Sequence, residues 1–175
     1  MSEFNEKSVS EIDVSTNADF TIFTMSLIWL AVIFLVPVLM DYGGVPEKIS
    51  SYIYLFFSKV CHQQDERSFH LLDHKLGVCS RCTLIYAGFF LGTALYPLKY
   101  SLSNSNTPAL WILITAVIIL FADVALDSAG ISANTFSSRS VTGFIIGFVL
   151  PLYLIPGFVK FFSEVFTFLR NKVST

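Results

Sequence analysis

Charge is scarce in this chain. Only 14% of its 175 residues are Asp, Glu, Lys or Arg, 54% are hydrophobic, and the net charge is −2. Soluble domains usually carry about 25% charged residues, so the composition indicates a membrane protein whose main partner is the lipid bilayer. No basic face interleaved with aromatics occurs, which sets nucleic acid aside as a partner. The positive start of a secretory signal is also missing. Met1 to Asp19 has one cation, Lys7, against Glu3, Glu6, Glu11, Asp13 and Asp19, and the first apolar segment is therefore expected to be retained. Cysteine is nearly absent, and the three present are an odd number. A fully paired disulfide framework within one chain is excluded, and the clustering of the three points to metal or redox chemistry. There is no internal repeat.

What the chain has in abundance is long apolar runs. A bilayer core about 30 Å thick takes roughly 17–25 apolar residues in a helix. Phe20 to Met40, Cys82 to Leu98, Ala109 to Asp127 and Val141 to Val159 each approach or meet that length. The expected fold is an all-α membrane protein, a bundle of four transmembrane helices with a Cys/His-containing interfacial loop between the first and second. Residues 1–19 form a polar segment expected to lack order, 20–160 one four-helix domain, and 161–175 an amphipathic tail. In that tail region Phe158, Phe162, Val165 and Leu169 make one helical stripe. Ser51 to Val60 is too short to cross and rich in aromatics, as suits an interfacial or re-entrant piece. Gly88 and Gly92, and Gly143 and Gly147, form GxxxG pairs, which let helix backbones approach closely inside the bundle or at a homo-oligomer face.

Four crossings bring distant residues to one membrane face. If the first span delivers Asp41 to Arg81 to one side, the third returns there at Asp127, and the loop carrying Arg139 follows. Asp123 and Asp127 are four apart and share a helix face, with Asp123 about one turn inside the apolar run. A carboxylate at that depth is costly unless it meets Arg139, Arg81, a metal or a proton. Asp127 reads most simply as a helix-end residue among headgroups.

The same face receives every thiol and imidazole of the chain. Cys61 is followed by Cys79 and Cys82 as CxxC, with His62, His70 and His74 between. Two thiolates at CxxC spacing clamp one side of a tetrahedral ion, and Cys61 with one imidazole would complete a Cys3His zinc site. Adjacent Cys61 and His62 do not easily point at one ion, which keeps His70 and His74 open as the fourth ligand. Taken singly, such residues would be packed thiols and surface histidines; their clustering shifts the reading. Covalent c-type haem is disfavoured, because Thr83 and not histidine follows the CxxC. The rival to metal is thiol exchange with a quinone or a partner disulfide, with Cys61 as resolving thiol.

The stretches CHQQDERSF (Cys61 to Phe69) and VCSRCTLIYAG (Val78 to Gly88) resemble a family of small prokaryotic integral membrane proteins of unknown function, DUF2085. Its CHQ, RSF and CxRCTGIYxG motifs match Cys61, His62, Gln63, Arg67, Ser68, Phe69, Cys79, Arg81, Cys82, Thr83, Tyr86 and Gly88, while Leu84 stands where the pattern has glycine. The late acid of the third helix, Asp123 or Asp127, and Arg139, Thr142 and Gly143 at the fourth are similar too. The resemblance spans Ser51 to Gly157 and implies membership but no activity. It makes His62 the first choice of imidazole, for a metal set of Cys61, His62, Cys79 and Cys82 supported by Gln63, Arg67, Arg81, Asp123, Asp127 and Arg139. The expected location is the cell (inner or plasma) membrane, as a multi-pass protein. Lys and Arg divide almost equally between the two faces, so orientation stays open. Three functions compete: a zinc-type metal site, a thiol oxidoreductase using the CxxC, and a transporter using Asp123 for an ion or proton.

Overall fold

The structure, a computed structural model, describes residues 2–99 and 107–173. It is built of six α-helices and one small hairpin: α1 (Ser2–Asp41), α2 (Gly44–Phe57), β1 (His70–Leu71), β2 (His74–Lys75), α3 (Ser80–Lys99), α4 (Trp111–Ser128), α5 (Phe136–Val149) and α6 (Pro151–Val173). Among the described residues, three stretches are long and apolar enough to cross a membrane: Asp19–Asp41, Trp111–Ser128 and Phe136–Phe161. The second expected span, α3, is not among them. Its small and hydroxyl residues Ser80, Thr83, Gly88, Gly92 and Thr93 are buried against other parts of the protein, and a helix face turned to protein need not be apolar.

Two boundaries differ from the sequence expectation. The polar segment expected to lack order is helical from Ser2 and runs on into the first apolar stretch. The last apolar stretch is divided at Leu150, where Pro151 brings no N–H to continue the ladder, and α6 then carries the tail on to Val173.

Helix directions follow from the ring and glycine contacts. Trp29 packs on Tyr86 and Phe23 on Phe90, so α1 and α3 are antiparallel. Gly143 meets Arg81 and Gly147 meets Ile85, so α3 and α5 run parallel. That pairing is unusually close. A Cβ on Gly88, Gly92, Gly143 or Gly147 would come within 2.5, 2.7, 2.6 or 2.1 Å of a backbone carbonyl of the facing helix. The two GxxxG faces therefore pack on each other within one chain, as expected for packing inside the bundle.

Proline shapes the entry to the cysteine loop. Pro37 lies inside α1 and supplies no N–H for the carbonyl of Ile33, one turn back. The Gly77 N–H takes that place, donating to Ile33 C=O at 3.3 Å. Gly77 fits because a side chain there would press on the buried Phe57 ring at 3.0 Å. After α1 the chain reverses through Gly43 and Gly44, both with positive φ (67° and 68°). Then α2 lies back along α1, with Ser50 donating to Val36 C=O at 2.8 Å and Phe57 edge-on to Trp29. One core forms at this junction, from Ile33, Val36, Phe57, Leu76 and Val78 together with Cys61 and Cys79.

Candidate metal centre

Cys61 follows the end of α2, its N–H bonded to Phe57 C=O at 2.9 Å. Cys79 immediately precedes α3, and Cys82 lies in its first turn. Residues three apart at a helix start share a face, so the CxxC presents both thiols to Cys61. The three sulfurs lie within 4.8 Å of one another. A tetrahedral zinc ion with bonds of about 2.3 Å would set sulfurs about 3.8 Å apart. Cys61 and Cys79 are buried and Cys82 is half-buried, so apolar side chains close the site on one side and leave access at Cys82.

The electrostatics favour charge on Cys61. The Cys79 N–H donates to the Cys61 sulfur at 3.2 Å, and the Cys79 and Cys82 thiols lie close enough to share their protons with it. Together these hold the Cys61 thiol well below the usual range, against the opposing effect of burial. Cys79 moves the other way, chiefly because its own proton is engaged by Cys61. The amino end of α3, with no acid in its first turn, adds a favourable dipole for thiolate.

The loop holding Cys61 against the CxxC is closed by a chain of hydrogen bonds. Gln63, in the left-handed region with φ 48°, donates through Nε2 to the carbonyls of Tyr54 (2.9 Å) and Gly77 (2.7 Å). Lys75 Nζ donates to Gln63 C=O at 2.9 Å, and Tyr54 OH donates to Lys75 C=O. Burial and nearby Asp65 push the Tyr54 phenol up to about 12, so it stays a neutral donor. Between β1 and β2, Leu72 and Asp73 both have positive φ (54° and 60°), the backbone of a tight primed hairpin turn. Tyr54→Phe removes one donor from this chain. The expected cost is about 1 kcal/mol, seen as a small drop in thermal unfolding temperature.

The histidines are not brought to the thiols. Among the described residues, no imidazole or carboxylate joins the trio. His62 is exposed, its Nδ1 accepting from the Gln64 N–H at 3.4 Å. His70 is 3.3 Å from the Asp65 carboxylate at the surface, and His74 sits on β2. Adjacency to Cys61 turns His62 outward, and the hairpin holds the other two in its strands.

The arginines and acids named from sequence do meet, next to the amino end of α3. Asp123 Oδ2 accepts from Arg81 Nη2 at 2.6 Å, Asn134 Nδ2 at 3.2 Å and Thr142 Oγ1 at 3.3 Å. Asp127 accepts from the Asn134 N–H at 3.0 Å and pairs with Arg67 at 3.4 Å and Arg139 at 3.7 Å. Asn134, which touches both acids, was not singled out from sequence. Its signal was the Asn-Thr pair before α5, where the Thr135 hydroxyl caps Ser138 N–H at 3.1 Å.

Comparison with known proteins adds relatives. The family described as "Predicted membrane protein (DUF2085)" matches residues 61–153. An uncharacterized protein of Methanocaldococcus jannaschii is 34% identical over 143 residues, 80% of this chain and 92% of its own length. An uncharacterized protein of Methanothermobacter thermautotrophicus is 46% identical over 48 residues, 26% of this chain and 43% of its own. No solved structure matches.

Proposed function

The chain belongs to the DUF2085 family of predicted membrane proteins, and from that premise we propose a multi-pass protein of the cell membrane built around a zinc ion on Cys61, Cys79 and Cys82. Three thiolates leave the fourth coordination position open, as in zinc sites that bind or activate a ligand, whereas structural sites are closed by four protein ligands. The observation carrying this reading is three sulfurs within 4.8 Å at the start of a helix, with no other ligand side chain among the described residues. Four crossings fit the same reading. The antiparallel α1 and the parallel α5 beside α3 support reading α3 as the returning crossing, and its 20 residues rise about 30 Å.

The transporter alternative is weakened by the state of Asp123, which is engaged by Arg81, Asn134 and Thr142 together. The oxidoreductase alternative draws support from Cys61, whose lowered pKa favours the thiolate, the form that attacks a disulfide. Metal analysis of protein purified under reducing conditions separates the two. About one zinc per chain is expected, lost in Cys79→Ser and retained in His62→Ala. A metal-free protein whose Cys79 and Cys82 cycle between dithiol and disulfide with added quinone would replace this proposal with the redox one.

A further inference from the structure

The polar cluster beside the thiols has a surplus of positive charge. Arg67, Arg81 and Arg139 face Asp123 and Asp127, three cations against two anions. Asp65, in the same loop as Arg67, is held at the surface by His70. The surplus is least compensated at Arg139. Its side chain is only 9% exposed, its Nη2 reaches Asp127 at the long distance of 3.7 Å, and its Nε finds no acceptor among the described residues. Arg81 Nε is buried without an acceptor too, although its Nη2 is tightly bound to Asp123. A buried guanidinium N–H without an acceptor is unfavourable unless something supplies an acceptor oxygen. The cluster opens to water at Arg67, whose side chain is 37% exposed.

We infer that this cluster is a binding site for a phosphate group, with Arg139 as its buried anchor and Arg67 at its mouth. A phosphate brings the missing negative charge and several acceptor oxygens, and the planar guanidinium fork suits it. Arg81 stays on Asp123 and adds field and its free Nε–H. Asn134 and Thr142, by holding Asp123, keep that acid turned toward Arg81. The phosphate comes either from an anionic lipid headgroup, since the cluster lies where α3 and α5 begin and α4 ends, or from a free phosphate compound in the water phase. The site is separate from the thiol trio and does not depend on a metal there.

The test uses the full-length protein in nanodiscs of phosphatidylcholine alone, titrated with inorganic phosphate, and in nanodiscs containing phosphatidylglycerol. Sodium chloride at matched ionic strength is the control. Thermal unfolding is the readout. A phosphate-specific rise of about 3–6 °C at ten times the dissociation constant, lost in Arg139→Gln and in Arg67→Gln, assigns the site to free phosphate. A comparable rise only with phosphatidylglycerol, lost in the same variants, assigns it to the lipid headgroup. Arg67→Gln carries the test alone if Arg139→Gln does not fold, because Arg67 is water-exposed. No rise in either arm, a rise equal in chloride, or a rise that persists in Arg67→Gln would overturn the inference.

Discussion

Gly147→Ala is expected to prevent the folded protein from accumulating in the membrane. The added methyl would sit 2.1 Å from Ile85 C=O and 2.8 Å from the carbon of the same group. Both contacts are backbone, so no side chain can turn aside, and α3 and α5 must separate along their whole interface. Overpacking in a core costs 1–3 kcal/mol when side chains can adjust; here a loss above about 3 kcal/mol is expected, a large share of the 5–15 kcal/mol that folded domains typically have. Separation would also draw Arg81 away from the start of α5, since Gly143 touches Arg81 C=O. Gly157→Ala is the control, because a Cβ there meets nothing within 4 Å and alanine is the better helix former by up to about 1 kcal/mol. Folded yield after detergent extraction should fall sharply for Gly147→Ala and hold or rise for Gly157→Ala. Equal yields would show that the close α3–α5 contact is wrong.

Asp123→Asn should be the most damaging conservative change in the polar cluster. The side chains of Arg81 and Asp123 are only 20% and 12% exposed, and removing one partner of a buried pair typically costs about 3–5 kcal/mol because the other charge stays behind. The sign of the surplus makes the effect asymmetric. Asp123→Asn leaves three arginines against Asp127 alone, whereas Arg81→Gln leaves two against two, with Asp123 still accepting from Asn134 and Thr142. Arg81→Gln should therefore cost clearly less, and Arg81→Met with Asp123→Leu should recover much of the loss. Thermal unfolding of the single and double variants measures this. Equal losses in the two single variants would mean that the surplus charge has no energetic consequence.

The convergence of Arg81 and Arg139 with Asp123 on one membrane face was legible in the sequence because hydropathy fixes which ends of apolar runs lie together, whereas Asp127, read as a helix-end residue among headgroups, is instead bound by Arg67, Arg139 and the Asn134 N–H. The thiol trio was legible for a similar reason, since CxxC at a helix start has one geometry. Which acid each arginine would choose was not, because that depends on helix rotation about its axis, set here by glycine contacts too close to infer from spacing alone. The imidazole is the instructive difference. His62 neighbours Cys61 in sequence, and that very adjacency turns its ring to the surface. The pairing of Pro37 with Gly77 was not legible, because Gly77 lies far along the chain and nothing local marks the carbonyl that one frees and the other takes. Leu72 and Asp73 concealed the hairpin, since the primed turn they form usually signals itself with Asn or Gly.

A zinc ion held by Cys61, Cys79 and Cys82 without a histidine, as proposed above, has a direct signature in X-ray absorption at the zinc edge of the reduced, membrane-purified protein. Three sulfurs at about 2.3 Å and one oxygen or nitrogen, unchanged in His62→Ala and lost in Cys61→Ser, is the expected result. Absence of zinc, or a first shell with fewer than three sulfurs, would contradict it.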